Sequence, residues 1–188
     1  SIIKIGLSKF ELNEKDNSGR FNIYDCNGVK AILDYGHNID GYRKVLSSLK
    51  ELAKGNIIGV IGIPGDRSNN DAVRIGKLSG KNLNKIIIKE DKDRRGRRCG
   101  EIAELIKNGV LQVNKDSDLK VILDEVEAFR TALMEAKRGD TVIVFFEKRK
   151  PLLEVIEYFR KEQEENGYKK INWISDKYWV TFNFLICL

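Results

Sequence analysis

Apolar residues along the chain follow two rhythms: short continuous or alternating runs, and longer stretches in which they return every third or fourth position. Phe21–Asp25 and Val29–Leu33 flank Asn27-Gly28, a pair suited to the positive φ values of a two-residue hairpin turn, and read as strands. From Asp40 to Ala53, the residues Tyr42, Val45, Leu46, Leu49 and Leu52 share one helical face. Ile57–Ile63 is apolar on both faces, as a central strand should be. The alternation continues with helix over Asn70–Ser79, strand over Lys85–Lys89, helix over Gly100–Lys107 and strand over Lys120–Leu123. Helix over Asp124–Lys137 and strand over Thr141–Phe146 follow. A last helix starts at Pro151, whose missing N–H costs little there, and runs to about Glu165. Strands alternating with helices predict an α/β domain of Rossmann-like, three-layer architecture. Its sheet should be mostly parallel, with the N-terminal hairpin adding an antiparallel edge strand.

The two ends read differently. Ile2, Ile3, Ile5, Leu7 and Phe10 have helical spacing, and Glu11–Gly19 is polar, so 1–18 is expected to be the end of an upstream helix and a linker. The domain itself is expected over 19–166. Residues 167–188 are aromatic and β-branched, and leave open a terminal hairpin, an exposed tail or a segment packed on a partner.

Composition narrows the function classes. With 188 residues and 41% hydrophobic content there is material for one substantial core, and two complete domains would be cramped. The formal net charge of +6 favours anionic ligands such as nucleotide phosphates without naming one. The densest basic cluster, Lys92 to Arg98, is short, carries Asp93 and lacks interleaved aromatics, so nucleic acid is not expected as a partner. Cys26, Cys99 and Cys187 are too few and too widely spaced for a disulfide framework or a zinc site. No apolar run suits a membrane span and Ser1–Phe10 has no signal-peptide character, so the expectation is a cytoplasmic protein with reduced thiols.

The chemistry concentrates where the second strand ends, at Asp34-Tyr35-Gly36-His37-Asn38. In an open α/β sheet, side chains at the carboxyl ends of strands face the ligand crevice, and a carboxylate there suits ribose hydroxyls. Asp34 could instead cap the following helix, although Asn38 or Asp40 is better placed for that. His37, the only histidine, lies in a turn rather than on an apolar face. Arg20 precedes the first strand and offers a rigid fork of donors, or else it is a solvated linker residue. After the third strand comes Pro64-Gly65-Asp66-Arg67, where Gly65 permits a tight turn and Asp66 and Arg67 either pair or face the crevice. After the fourth comes Lys89 to Arg97, with Glu90, Asp91 and Asp93 as negative charge for a cationic ligand or as members of a self-neutralising loop. Neither a Gly-x-Gly-x-x-Gly fingerprint nor a Gly-x-x-x-x-Gly-Lys-Ser/Thr loop is present; Gly76-Lys77-Leu78-Ser79 lacks the glycine spacing.

Gly19-Arg20-Phe21, Asp34-Tyr35-Gly36-His37-Asn38 and Pro64-Gly65-Asp66-Arg67, in this order, resemble the C-terminal domain of the Mur ligase family, ATP-dependent enzymes that form amide bonds. Branches of that family carry Asp-Gly-Ala-His-Asn-Pro or Asp-Tyr-Ala-His; this chain departs mildly, with Gly36 for alanine and Ile39 for proline. The resemblance implies that Asp34 binds the ATP ribose and that Arg20 meets the nucleotide at the hinge with a central domain. It places His37 near the terminal phosphates as a hydrogen-bond donor in catalysis rather than a general base. Asn38, Asp66 and Arg67 are the remaining nucleotide-side candidates. It implies that the loop bearing Glu90, Asp91, Asp93 and Arg97 helps to bind the incoming amino acid. Within the family, that loop looks most like the cyanophycin synthetase branch, which adds arginine to a poly-aspartate backbone. Folylpolyglutamate and peptidoglycan-precursor ligases, and a non-catalytic α/β binding domain, are the alternatives. Family members carry the phosphate-binding loop and most magnesium ligands on the central domain. The resemblance therefore implies ATP and Mg as cofactors, an upstream ATPase domain of the same polypeptide as partner and no metal site of its own. It also implies a homo-oligomer when full length, and no ligase activity in this chain alone.

Overall fold

The computed structural model describes residues 19–165; the readings made above for 1–18 and for the aromatic segment from 167 onward lie outside them. The elements are β1 (Asn22–Cys26), β2 (Val29–Asp34), α1 (Ile39–Leu52), β3 (Ile57–Ile61), α2 (Asn69–Asn82), β4 (Lys85–Ile88), α3 (Glu101–Leu111), β5 (Asp118–Val121), α4 (Glu125–Glu135), β6 (Thr141–Phe145) and α5 (Arg149–Glu165). They build a six-stranded sheet in the order β1-β2-β6-β3-β4-β5. Only β1 and β2 are antiparallel; every other pairing is parallel. The expected α/β architecture with an antiparallel edge strand is thus the observed one.

The hairpin forms because Asn27 and Gly28 take φ of 66° and 77°, the pair of positive values that matches the twist of two antiparallel strands. The sheet divides the core by the two-residue period of a strand. Ile143 and Phe145 of β6 face α1, α2 and α3, while Val142 and Val144 face α4 and α5. β3 and β6 are buried throughout, which explains why their sequences show no polar alternation. Gly76 and Gly109 bring α2 and α3 into near contact: a Cβ on either would stand 2.1 Å from the carbonyl oxygen of Ile106 or Val73 on the other helix.

β5 lies two residues earlier than the strand expected at Lys120–Leu123. Its register is set by β4, with Lys85 opposite Asp118 and Ile88 opposite Val121. Ile122 and Leu123 carry the extended backbone onward, bonded to Ile88 O and from Glu90 N. The edge position leaves β5 half exposed, so apolar preference was a poor guide to its limits.

Five parallel strands put five carboxyl ends on one edge of the sheet. The chain leaves β2 and β3 for helices on one face and leaves β6, which lies between them, for a helix on the other. Neighbouring loops that diverge to opposite faces open a crevice.

Candidate functional site

That crevice encloses about 440 Å³, lined by Tyr35, Gly36 and His37 beyond β2, Gly62 and Pro64 beyond β3, Lys89, Asp91, Asp93 and Arg95 beyond β4, and Phe145 to Glu147 at β6. A smaller cavity of about 190 Å³ lies beside it, among Ile63, Gly65, Glu90, Asp91, Arg94, Arg97, Arg98 and Ile102. Asp91 belongs to both walls.

Around the end of β2, Arg20, Asp34 and His37 come together, and of the three His37 lines the crevice. Gly19 and Phe21 take φ of 81° and 50°, and the turn they form is held by Gly19 N–H donating to Asn22 Oδ1 at 2.6 Å. Tyr35 N–H donates to Gly19 O at 2.9 Å, which docks this turn beside the end of β2. Arg20 donates to Tyr35 O at 3.2 Å and lies over the Tyr35 ring, 5.5 Å from its centroid. Asp34 is only 5% exposed, and its Oδ2 accepts the Phe21 N–H at 2.8 Å. Desolvation raises its pKa above the ordinary carboxylate value. The Phe21 N–H, the Arg20 charge and the Gly36 N–H oppose that shift without cancelling it. This carboxylate therefore helps to hold the Gly19–Phe21 turn. The His37 Nδ1 lies 3.1 Å from Tyr35 O; a carbonyl only accepts, so Nδ1 carries the proton. Nε2 then offers a second N–H only in the imidazolium form. Asn38 is the N-cap of α1, its Oδ1 accepting Gly41 N–H at 2.8 Å; of the two capping candidates, Asp40 instead pairs with Arg43.

Under the floor, Tyr42 is fully buried and stacks on Phe145 at 3.6 Å. Its hydroxyl donates to Gly62 O at 2.7 Å and accepts Gly62 N–H at 3.1 Å, so both polar groups of that residue end on one side chain. Burial drives the Tyr42 pKa well above its ordinary value, and the hydroxyl acts as a neutral brace.

The Pro64–Arg67 turn is pinned by the next loop. A Cβ on Gly65 would stand 2.0 Å from Arg94 O, so glycine is required there by close backbone approach. Arg97 donates to Gly65 O at 2.6 Å and Arg67 O at 2.7 Å, and also to Asn69 and Glu101, both at 2.7 Å. All three guanidinium nitrogens are thereby engaged in clamping two loops. Asp66 lies 3.7 Å from Arg67 and 3.6 Å from Arg95, within ion-pair distance of both.

The three acidic residues after β4 have three different fates. Glu90 is buried, and its two oxygens accept Gly100 N–H at 2.9 Å and Ala103 N–H at 3.0 Å. It caps α3, whose own cap position is Gly100 with no side chain to do so. Asp93 is exposed and pairs with Arg95 at 2.7 Å. Asp91, with its side chain 12% exposed, accepts from Lys89 Nζ at 2.6 Å.

Lys89 is the residue that sequence reasoning passed over. It is 1% exposed, and its ammonium sits between Asp91 and Glu125, 2.7 Å from the latter. Desolvation alone would lower its pKa, but the charges of Glu125 and Asp91 outweigh it and the net shift is upward. Glu125 also accepts the backbone N–H groups of Glu147 at 2.6 Å and Lys148 at 3.0 Å. A lysine ending an Ile-Ile-Ile strand is the one signal the sequence offers. Its partner at the start of α4 could be found only once β4 and β5 were known to be neighbours. Among the described residues no three His, Cys, Asp or Glu side chains converge to hold a metal ion, and no helix there is long and apolar enough to cross a membrane.

A family model for the glutamate ligase domain of Mur ligases matches residues 19–145. Cyanophycin synthetase from Geminocystis herdmanii is 37% identical over 163 residues, which is 87% of this chain and 18% of that protein. UDP-N-acetylmuramoyl-L-alanyl-D-glutamate--2,6-diaminopimelate ligase from Syntrophomonas wolfei is 34% identical over 127 residues, 67% of this chain and 26% of that protein. The chain thus spans about a fifth to a quarter of the length of these relatives. A solved structure of a UDP-N-acetylmuramoyl-L-alanyl-D-glutamate--2,6-diaminopimelate ligase superposes with TM-score 0.62 at 19% identity, over 87% of this chain and 37% of the other. The MurF ligase of Thermotoga maritima in complex with ADP superposes with TM-score 0.53 at 21% identity, over 87% and 36%. These two share the fold. A parallel sheet with its crevice at the strand ends, the Gly-Arg, Asp-Tyr-Gly-His and Pro-Gly-Asp-Arg segments on its rim and the family match together establish that the chain belongs to the Mur ligase family, as its C-terminal, glutamate ligase-type domain.

Proposed function

We propose that this domain closes on the nucleotide in an ATP-dependent amide ligase that adds arginine to a poly-aspartate backbone, as its similarity to cyanophycin synthetases suggests. The carrying observation is that Arg20, Asp34 and His37 come together around the end of β2, where His37 lines a strand-end crevice that Asp91 also lines. On this reading Arg20 and Asp34 meet the nucleotide, with Asn38, Asp66 and Arg67 on the same rim. Imidazolium His37 donates from Nε2 toward the terminal phosphates. The incoming amino acid approaches Asp91, with Asp93 at the exposed lip. Glu90 and Arg97 shape the loop from within.

The reaction divides into two steps. A carboxylate oxygen of the acceptor takes the γ-phosphoryl group and ADP departs; the amine then attacks the acyl carbon and expels phosphate with that oxygen. Phosphoryl transfer asks mainly for positioning and charge stabilisation, so a domain that shuts over the nucleotide is a fitting contribution. No step is assigned to a metal held by these residues; magnesium belongs to the upstream domain on this reading.

A second reading, addition of diaminopimelate, is supported by the 34% identity to the ligase of that name. The full-length protein, supplied with ATP, Mg and poly-aspartate, is expected to form an amide product with arginine that mass spectrometry detects. Product formed only from a peptidoglycan precursor and diaminopimelate would transfer the assignment to the second reading. No amide product from either would overturn the ligase assignment.

A further inference from the structure

At the pole of the domain opposite the crevice, β2, β6 and β3 begin side by side. Three stretches meet there, 25–30, 54–56 and 137–140, and backbone hydrogen bonds stitch them together. Gly139 N–H donates to Gly28 O at 2.8 Å, Lys30 N–H to Asp140 O at 3.0 Å and Thr141 N–H to Asn56 O at 2.9 Å. The buried Asp140 carboxylate completes the join, its Oδ1 accepting Asn56 N–H at 2.8 Å and its Oδ2 Lys137 N–H at 2.9 Å. Gly28, Gly55 and Gly139 form a floor without side chains. A Cβ on Gly55 would stand 2.7 Å from Gly139 O, whereas one on Gly139 would meet nothing within 4 Å. Lys30, Lys54, Lys137 and Arg138 stand exposed around this floor, and the Arg138 stem lies against Gly28. None of these cations forms an ion pair among the described residues. Asp25, opposite Lys30 in the hairpin, is the one exposed carboxylate on the three stretches, and its Oδ1 accepts Gly28 N–H at 3.2 Å.

We infer that this surface docks an extended polycarboxylate, the poly-aspartate acceptor, and holds a stretch of it away from the reacting end. The choice of poly-aspartate rests on the ligase reading; the cationic surface does not. Spacing favours a chain over a single small anion. Adjacent strands lie about 4.8 Å apart, so cations on the segments that enter β2, β6 and β3 spread over roughly 10 Å. An extended aspartate chain returns a carboxylate to the same side every second residue, about 7 Å on, so a pair of carboxylates fits that span. Because the glycines carry no side chains, such a chain can lie close to the backbone between the cations. Single-stranded nucleic acid also presents a row of negative charge, but it needs aromatic faces for its bases. None of the three stretches contains an aromatic residue, and the neighbouring Tyr24 ring is covered by the Arg160 guanidinium, 5.6 Å from its centroid. The length of β6 separates this pole from the crevice by roughly 15 Å, so a polymer held here keeps its free end close to the site at a raised local concentration.

The test uses this chain and dye-labelled poly-aspartate of about 20 residues, long enough to cross the surface at about 3.4 Å per residue. Binding is followed by fluorescence anisotropy at about 0.15 M salt, where exposed charges are screened beyond about 8 Å. Lys54→Glu combined with Arg138→Glu should weaken binding by about tenfold or more. Lys44→Glu combined with Arg74→Glu, exposed on α1 and α2, makes the same change in net charge and should alter it by no more than about twofold. Lys54→Gln with Arg138→Gln should act in the same direction and more mildly, which guards against a folding defect in the reversed pair. In amide-proton NMR of the wild type, poly-aspartate should move the signals of Gly28, Gly55 and Gly139 and leave those of Gly36 and Gly62 in the crevice in place. Equal weakening by the two charge-reversed pairs, shifts confined to Gly36 and Gly62, or no binding would overturn the inference. So would a single-stranded DNA of matched charge that binds this pole more tightly than poly-aspartate. Because no amide bond is made, a positive result stands even if the ligase assay fails. A negative one leaves that assay untouched.

Discussion

Glu90→Ala separates the capping role from a substrate role. The Glu90 carboxylate accepts Gly100 N–H and Ala103 N–H, two of the first-turn donors of α3 that the helix cannot satisfy itself. Gly100 at the cap position has φ 80° and no side chain, so no local group replaces it. The Ala103 bond is buried, and the Gly100 bond is partly so. Truncation removes two charge-assisted bonds and leaves donors under a closed surface, at a cost of about 1–3 kcal/mol each. It also removes a negative charge from the positive end of the helix, worth about 0.3–1 kcal/mol. Since these terms overlap, the expected loss is about 3–5 kcal/mol, a large part of a typical domain's 5–15 kcal/mol. In urea unfolding followed by circular dichroism, the midpoint should fall at constant slope. Glu90→Gln should lose less, because one oxygen still accepts, and Asp93→Ala should stay within about 0.5 kcal/mol of wild type. A Glu90→Ala variant as stable as wild type but altered toward arginine would refute the capping argument.

Four further outcomes follow from the structure. Asp34→Ala should weaken ATP use in the full-length protein and also lower stability by about 1–3 kcal/mol, because it strands the Phe21 N–H; unchanged unfolding would show that the hydrogen bond is unimportant. Because the folded state raises the Asp34 pKa, folding favours its protonated form, and wild type should lose ground to Asp34→Asn as pH rises through the shifted value; a gap that widens toward acid in urea titrations would contradict this. Cys26, buried with its thiol pushed up to about 11 by desolvation, should resist alkylation at pH 8 in the native protein while the half-buried Cys99 reacts, and peptide mapping that finds Cys26 modified first would contradict its placement. Gly65→Ala should destabilise and disorder the two clamped loops, since the added methyl meets backbone at 2.0 Å; a variant with wild-type melting temperature would show that the loops part readily.

Strand and helix periodicity carried most of the fold. The hairpin was legible in Asn27-Gly28, the central strands in their unbroken apolar runs and the cap of α1 in Asn38. The limits of β5 were not, because an edge strand is placed by its neighbour's register more than by its own side chains. Around the end of β2, chain-local signals single out Arg20, Asp34 and His37, which the structure places close together. Contacts between distant segments stayed hidden. Glu90 and Arg97 look like loop charges until α3 is seen to start against one and two backbone turns to close on the other. Lys89 and Glu125 stand 36 positions apart, and only the adjacency of β4 and β5 makes them partners.

That contrast bears on function. Around the end of β2, His37 lines the crevice while Asp34 is buried and holds the Gly19–Phe21 turn. Most charges in the loop after β4 and on its partners are consumed in holding three loops together.

The central claim, amide formation through an acyl phosphate, is tested most directly by isotope transfer. Poly-aspartate whose side-chain carboxylates carry oxygen-18 is given to the full-length protein with ATP, Mg and arginine, and the released phosphate is analysed by mass spectrometry. The account predicts one labelled oxygen in each phosphate released, in proportion to arginine incorporated. Phosphate released without label during amide formation would contradict it.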